Sequence, residues 1–313
     1  MTCAGASSRW IRTRCRAGCF SRSAHDRYPP VIDDPVLVVA RAAHFAALAA
    51  LVGIPLFRRC VADVTVDWLG VAAALAWGSA LVWFLAVAAG IGEGWADAFD
   101  PSHVAAVALF SEFGRVWLAR IAVLTALLAL GMRASHERLR LGLGLAAAAS
   151  LALTGHATVG GAGMSEFGGR LVHGMADAVH AMCATGWLGG LVALGLTARR
   201  ANGAALADAL PRFSRLGYVL VAGILVSGCV NAAMLIETPR GLVTTDYGRL
   251  LLAKLALVAA MLGLALVNRL LLTPRIQRAA ASRLFGWTVT AETGLGAAVL
   301  ATVAVLGTLQ PHT

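Results

Sequence analysis

The stretch 173-HGMADAVHAMCATGWLGG-190 decides how this chain is read. It lies within an apolar run long enough to cross a bilayer, yet it opens with His173, Asp177 and His180, spaced by four and then three residues. At 3.6 residues per turn these three share one helical face, and Trp187 continues it. Ionisable groups in the hydrocarbon region are costly, so by default they turn toward a bundle interior or a water-filled cavity and mark a functional site. The segment therefore predicts a membrane helix with one polar face directed inward.

The rest of the chain agrees with a membrane setting. Its 313 residues are 59% hydrophobic and 13% charged, whereas a soluble domain carries about 25% charged residues. Apolar runs of spanning length, roughly 20 residues each, fall at 36–57, 66–90, 115–132, 139–157, 171–198, 213–236, 249–272 and 284–309. Backbone polar groups must be satisfied within lipid, and runs this long are not barrel strands. The expected fold is an all-α membrane protein, a bundle of about eight transmembrane helices. Four are placed in 36–165 and four in 166–313, after an Arg-rich tail over 1–35. Small residues at Gly142/Gly144 and Gly186/Gly189/Gly190 predict close helix packing.

The net charge is +10, and Lys254 is the one lysine among 26 basic residues. These charges cluster beside apolar segments, where membrane topology explains them, and no recognition motif for nucleic acid accompanies them. No nucleic-acid partner is expected. Alternate connections collect Arg58, Arg59, Arg133, Arg138, Arg140, Arg199, Arg200, Arg212, Arg215, Arg269, Arg275, Arg278 and Arg283, while the opposite side holds Arg115, Arg170, Arg240 and Arg249 with Glu93, Asp97, Asp100 and Glu112. The positive-inside rule puts the first group in the cytoplasm and both chain ends outside the cytoplasm. The tail, with Arg9, Arg12, Arg14, Arg16, Arg22 and Arg27, conflicts with that placement. Two explanations are an odd number of spans or initiation of the natural product near Val31 or Val36. Six cysteines form no CxxC pair and no disulfide framework.

With this orientation His156 closes the fourth span at the outer surface, His173, Asp177 and His180 occupy the outer half of the fifth, and His44 lies at similar depth in the first. Neutral imidazole ligates copper, zinc, nickel and haem iron, and an adjacent carboxylate fixes its tautomer or neutralises the metal. His156, His173, His180, Asp177 and His44 are the candidate metal residues. A proton relay or polar glue between helices are the alternatives. Met234, beyond Asn231 at the outer end of the sixth span, is a candidate soft ligand. Tyr247, Lys254, Met261 and Asn268 recur every seven residues on one face, and Glu292 in the last span is a possible partner or proton carrier. No nucleophile triad, phosphate loop or HExxH motif is present, so no enzyme is expected.

The ordered set DAVHAMCATGWLGGLVAL, RFSRLGYVLVAGILVSGCVNA, TTDYGRLLLAKLALVAAMLGLALVNRLLLTPRI and a final AET resembles the copper resistance D (CopD) family of inner-membrane proteins. The likeness is strongest over 170–309 and looser over 36–160, where RAAHF and EFGRVWLAR are similar to the family's first and third helices. It implies a multi-pass protein of the bacterial inner membrane that moves copper from periplasm toward cytoplasm, beside a periplasmic copper carrier similar to CopC. By motif position it carries over His156 and His180 as functional, with Trp187, Tyr247, Lys254, Asn268 and Glu292 as matching positions of unassigned role. A methionine-rich periplasmic segment is missing, which leaves the copper oxidation state, Cu(I) or Cu(II), open. Two rival readings are a haem-binding membrane redox protein using two of the same histidines and a non-transporting membrane anchor for the carrier.

Overall fold

Apolar runs bounded by Asp, Ser, Thr and Pro wind into helices α1 (Pro35–Cys60), α2 (Leu69–Ile91), α3 (Pro101–Phe110), α4 (Glu112–Ala129), α5 (Glu137–Ala149), α6 (Glu166–Arg200), α7 (Gly203–Leu235), α8 (Asp246–Val267) and α9 (Ala279–Leu306). The structure is a computed structural model and describes residues 34–130, 136–154, 166–200, 203–235 and 240–309. Several helix starts are capped by side-chain oxygens that take up the first free N–H groups. Asp34 accepts from Val36 N at 2.9 Å ahead of Pro35, Ser111 accepts from Gly114 N at 2.8 Å, and Thr245 accepts from Gly248 N at 3.0 Å.

Six helices among the described residues, not eight, are long and apolar enough to span a membrane: α1, α2, α6, α7, α8 with its continuation, and α9. The expected spans at 115–132 and 139–157 are helical but do not reach that standard. Helix α4 has 18 residues and carries Glu112, Arg115 and Arg120. Helix α5 has 13 residues and passes into a tighter 3-10 stretch, Ser150–Thr154. The third and fourth runs are apolar by composition, but a buried arginine interrupts one, and the other changes helix type at Ser150 within its described residues. The structure also makes α6 and α7 longer than expected, 35 and 33 residues with only 201–202 between them. At about 1.5 Å per residue each exceeds the roughly 30 Å hydrocarbon core. The first turns of α7 bury Leu206, Ala209 and Leu210 in the same core cluster as Phe57, Val61 and Ile276.

Helix α1 is the hub of the bundle, with His44, Leu48, Val52, Ile54 and Phe57 buried among its neighbours. Its tightest crossing is with α6. A Cβ added at Gly53 would collide with the backbone of Gly189 and Gly190, and one at Gly189 with the backbone of Ala49. The two backbones touch because glycine leaves nothing between them. Helix α8 turns Leu252, Leu255 and Leu266 outward, a lipid-facing surface in a bilayer.

Polar ends of the bundle are distinct. At one end Arg58, Arg200 and Arg212, from α1, α6 and α7, donate to the carbonyls of Val64 (2.7 Å), Thr65 (2.7 Å) and Val61 (3.3 Å). At the other, Arg41 donates to Gly307 O at 2.9 Å, and Tyr247 packs against Leu306 and Leu309.

Candidate functional site

The face predicted on α6 points into the bundle and meets α7 and α8. Asp177 accepts a 2.5 Å hydrogen bond from Asn231 Nδ2, and its other oxygen lies 3.9 Å from His173 Nε2. Lys254 and Tyr247, from α8, are close enough to act electrostatically on Asp177. Lys254 acts on His180 as well. Four residues expected on three separate segments thus converge on one carboxylate.

His180 has its own support. Its Nδ1 lies 3.1 Å from Ser227 Oγ, and the single hydroxyl proton of Ser227 is given to Gly223 O at 2.5 Å. Nδ1 is therefore the donor in the pair, and the neutral ring keeps a lone pair on Nε2. Gly228 lies against the ring, where an added Cβ would make ordinary contact with His180 Cε1 at 3.4 Å. Around Asp177, the buried atoms His173 Nε2 and Asn231 Oδ1 have no hydrogen-bond partner among the described residues. Polar capacity is therefore left over beside the Asp177 carboxylate.

These groups form a ladder rather than one ligand shell. His173 and His180 are two turns apart, about 10 Å along the axis, with Asp177 between them. Among the described residues no three His, Cys, Asp or Glu side chains gather into a metal-holding group. His156 lies outside the described residues. His44 faces α2 through one ring nitrogen, and its Nε2, also buried, has no hydrogen-bond partner among the described residues. Its Nδ1 donates to Ala76 O at 2.9 Å and lies 3.2 Å from Ser79 Oγ, with Trp83 edge-on at 5.8 Å between ring centres. The close α1–α2 contact turns its ring toward α2. Met234, one turn beyond Asn231, is half-buried on α7.

Below the ladder, Trp187, Leu191, Leu220, Ile224, Met261 and Val299 pack into an apolar belt. Beyond the belt comes a second polar group. Asn268 Nδ2 donates to Glu292 Oε1 at 2.5 Å, and Thr288 donates to Asn268 Oδ1. Both Asn268 and Glu292 are buried. Asn268 opens a π-helical turn, Asn268–Leu272, at the end of α8; such widened turns recur at functional sites. A cavity of about 230 Å³, lined by Trp187, Phe213, Tyr218, Asn268, Arg269 and Glu292, opens beside the pair. The seven-residue stripe of α8 therefore faces inward but splits. Tyr247 and Lys254 join Asp177, Met261 joins the belt, and Asn268 joins Glu292.

Three supporting residues escaped the sequence reading. Ser227 had a signal, since Ser227 and Asn231 are four apart on α7 and meet His180 and Asp177, which are three apart on α6. Thr288 had none. Arg120, fully buried, donates to Ser150 Oγ (2.8 Å) and Ser150 O (2.6 Å) and lies over the Trp117 ring at 4.2 Å. It ties α4 to the 3-10 turn that leads toward His156. A buried arginine cannot be told from a topological one in a chain this rich in arginine.

Comparison with known proteins gives matches over both halves. A family model described as copper resistance protein D matches residues 207–306, and one described as copper resistance protein D-like, N-terminal domain, matches residues 32–165. The chain is 35% identical over 291 residues to the inner membrane protein YebZ of Escherichia coli (strain K12), covering 88% of this chain and 98% of that protein. It is 35% identical over 229 residues to copper resistance protein D of Pseudomonas syringae pv. tomato, 67% of this chain and 72% of that protein. It is also 32% identical over 239 residues to the copper transport protein CutJ of Bacillus subtilis (strain 168), 71% of this chain and 41% of that protein. No solved structure matches the chain.

Proposed function

The chain belongs to the copper resistance protein D family and is a multi-pass inner-membrane protein, and from that premise we propose that it is a permease moving copper from periplasm toward cytoplasm. Both chain ends face the periplasm in this reading. The arginine-rich end, where Arg58, Arg200 and Arg212 gather on one connection, faces the cytoplasm, as the positive-inside rule requires. Copper is the cargo, and the chain performs no catalysis.

The carrying observation is the unspent polar capacity around Asp177, His173 Nε2 and Asn231 Oδ1, to which the His180 ring adds the Nε2 lone pair that its Nδ1–Ser227 bond leaves. Imidazole lone pairs at intervals along one helix give a cation successive weak holds, which suits transit better than storage. Lys254 supplies the resting counter-charge to Asp177, and an entering cation takes over that role. His156 and Met234 are assigned to the entry end, and His44 to support from α1. Trp187 and the belt form the constriction, with Asn268 and Glu292 on the cytoplasmic side. A periplasmic copper carrier similar to CopC would deliver to the ladder's outer end, from the aqueous side of the bilayer.

The test is elemental analysis and an optical spectrum of the detergent-purified protein with added Cu(I), followed by copper uptake in cells. Bound copper without a Soret band, and uptake that falls at least tenfold in His180→Ala at equal protein level, are expected. A Soret band lost in His180→Ala would make this a haem protein instead. Unchanged uptake in that variant would remove His180 from the path.

A further inference from the structure

A second polar cluster holds cations and no acid. It is formed by α1, α2 and α4, whereas the Asp177 ladder is formed by α6, α7 and α8. Arg41 and His44 stand one turn apart on α1, and Arg120 comes from α4; His44 and Arg120 are fully buried. Arg120 is close enough to act electrostatically on both of the others. The two guanidiniums rest on adjoining indoles. Arg41 lies over Trp83 at 4.7 Å and Arg120 over Trp117 at 4.2 Å, with the two indole centres 4.9 Å apart. Among the described residues none of the three forms an ion pair with a carboxylate. Ring faces ease the burial of a cation but add no counter-charge, and two like charges brought together out of water call for one.

Each of the three side chains keeps a buried nitrogen without a hydrogen-bond partner: Arg41 Nε, Arg120 Nη1 and His44 Nε2. Other nitrogens fix the groups in place. Arg41 Nη1 donates to Gly307 O, while Arg120 Nε donates to Ser150 Oγ and Nη2 to Ser150 O and Thr154 Oγ1. The two unused arginine atoms are donors. His44 Nδ1 gives its hydrogen to Ala76 O, so Nε2 of the neutral ring is an acceptor. Two positive charges, a donor from each and one acceptor describe a ligand with two negative charges and a single proton. Water satisfies the donors and leaves the charge; chloride answers one charge and offers nothing to the imidazole. We propose that Arg41, Arg120 and His44 form a binding site for a protonated phosphate group, its oxygens held by the guanidiniums and its hydroxyl donating to His44 Nε2. Sulfate has the shape and charge of hydrogen phosphate but no proton at neutral pH, so it leaves the imidazole unpaired. A phosphate of this kind exists as the free ion and at the end of phosphatidic acid.

Equilibrium dialysis of the full-length protein in detergent against labelled inorganic phosphate, in a buffer free of other oxyanions, reads the site. The expected result is a single phosphate per chain, displaced by sulfate only at about tenfold higher concentration or more. The wild type alone makes that comparison, so it survives any variant that fails to fold. Arg41→Gln, at the half-buried member of the cluster, should weaken phosphate by about tenfold or more. His44→Phe removes the acceptor and should bring phosphate and sulfate to similar affinity. Fluorescence of Trp83 and Trp117 should respond to saturating phosphate in the wild type and not in Arg41→Gln. Equal affinity of the wild type for phosphate and sulfate, or phosphate binding unchanged in Arg41→Gln, overturns the proposal. Free phosphate that fails to bind, with phosphatidic acid retained by the wild type through delipidation and released by Arg41→Gln, upholds the site with a lipid headgroup as its ligand. Neither free phosphate nor phosphatidic acid on the wild type overturns it.

Discussion

Ser227 decides what His180 can do. By accepting from Nδ1 it leaves the Nε2 lone pair free; in the permease reading this is the support that ligating histidines generally need, whose loss typically costs about 10–100-fold in metal affinity. Ser227→Ala should therefore weaken Cu(I) binding by about tenfold, with Ser227→Thr restoring most of it. A Cu(I) competition titration checks this, and equal affinity for Ser227→Ala and wild type would deny the serine that role. Asp177→Asn acts at the same scale but removes charge from a polar cluster that includes Lys254 and Asn231. Loss of a partner for a buried polar group costs about 1–3 kcal/mol, so thermal unfolding in detergent should come earlier. Replacing Lys254 with Met in the same molecule should recover part of the loss.

At the level of elements, the α1–α6 crossing depends on glycine. Gly189→Ala puts a methyl group into the Ala49 backbone, and overpacking of this kind costs about 1–3 kcal/mol. Gly78→Ala on α2 meets nothing within 4 Å and should be neutral or slightly stabilising. Thermal unfolding of the two variants side by side separates crowding from helix propensity. Helix α3 offers a pH test outside the spans. Asp100 caps it through the Ser102 hydroxyl and N–H, and those bonds hold its carboxyl below the usual range. A depressed folded value means the cap's contribution is present at neutral pH and disappears as pH falls through that value. Amide exchange at Ser102 and Val104, corrected for the intrinsic rate, should therefore speed up in acid, and Asp100→Asn should flatten the response.

Across the whole molecule the test is orientation. Cys60 is exposed beside Arg58 and Arg59 at the arginine-rich end. In a variant retaining Cys60 as its only thiol, a membrane-impermeant maleimide should label inverted inner-membrane vesicles and not right-side-out spheroplasts. The reverse pattern would invert the path and its direction. The helical membrane architecture, the segregation of arginine and the inward face of α6 were legible from the residues alone, because apolar length, charge bias and 3.6-residue periodicity are local properties. So were Asp177, Lys254 and Glu292 as unusual groups, since any charge in an apolar run stands out against its background. Which of them meet was not legible. Lys254 comes within electrostatic range of Asp177 while Glu292 takes Asn268, and His44 turns to α2, because these pairings depend on which helices adjoin and how each is rotated. Six long apolar helices stand among the described residues, which include only part of the expected spans at 115–132 and 139–157. Within those parts a composition window sees apolar content, and the folded chain adds that Arg120 is buried within α4 and that α5 tightens at Ser150. Sequence alone determined that charges lie inside a membrane bundle. The tertiary structure decided which charges answer one another, because side-chain pairing is set by helix contacts formed between residues far apart in the chain.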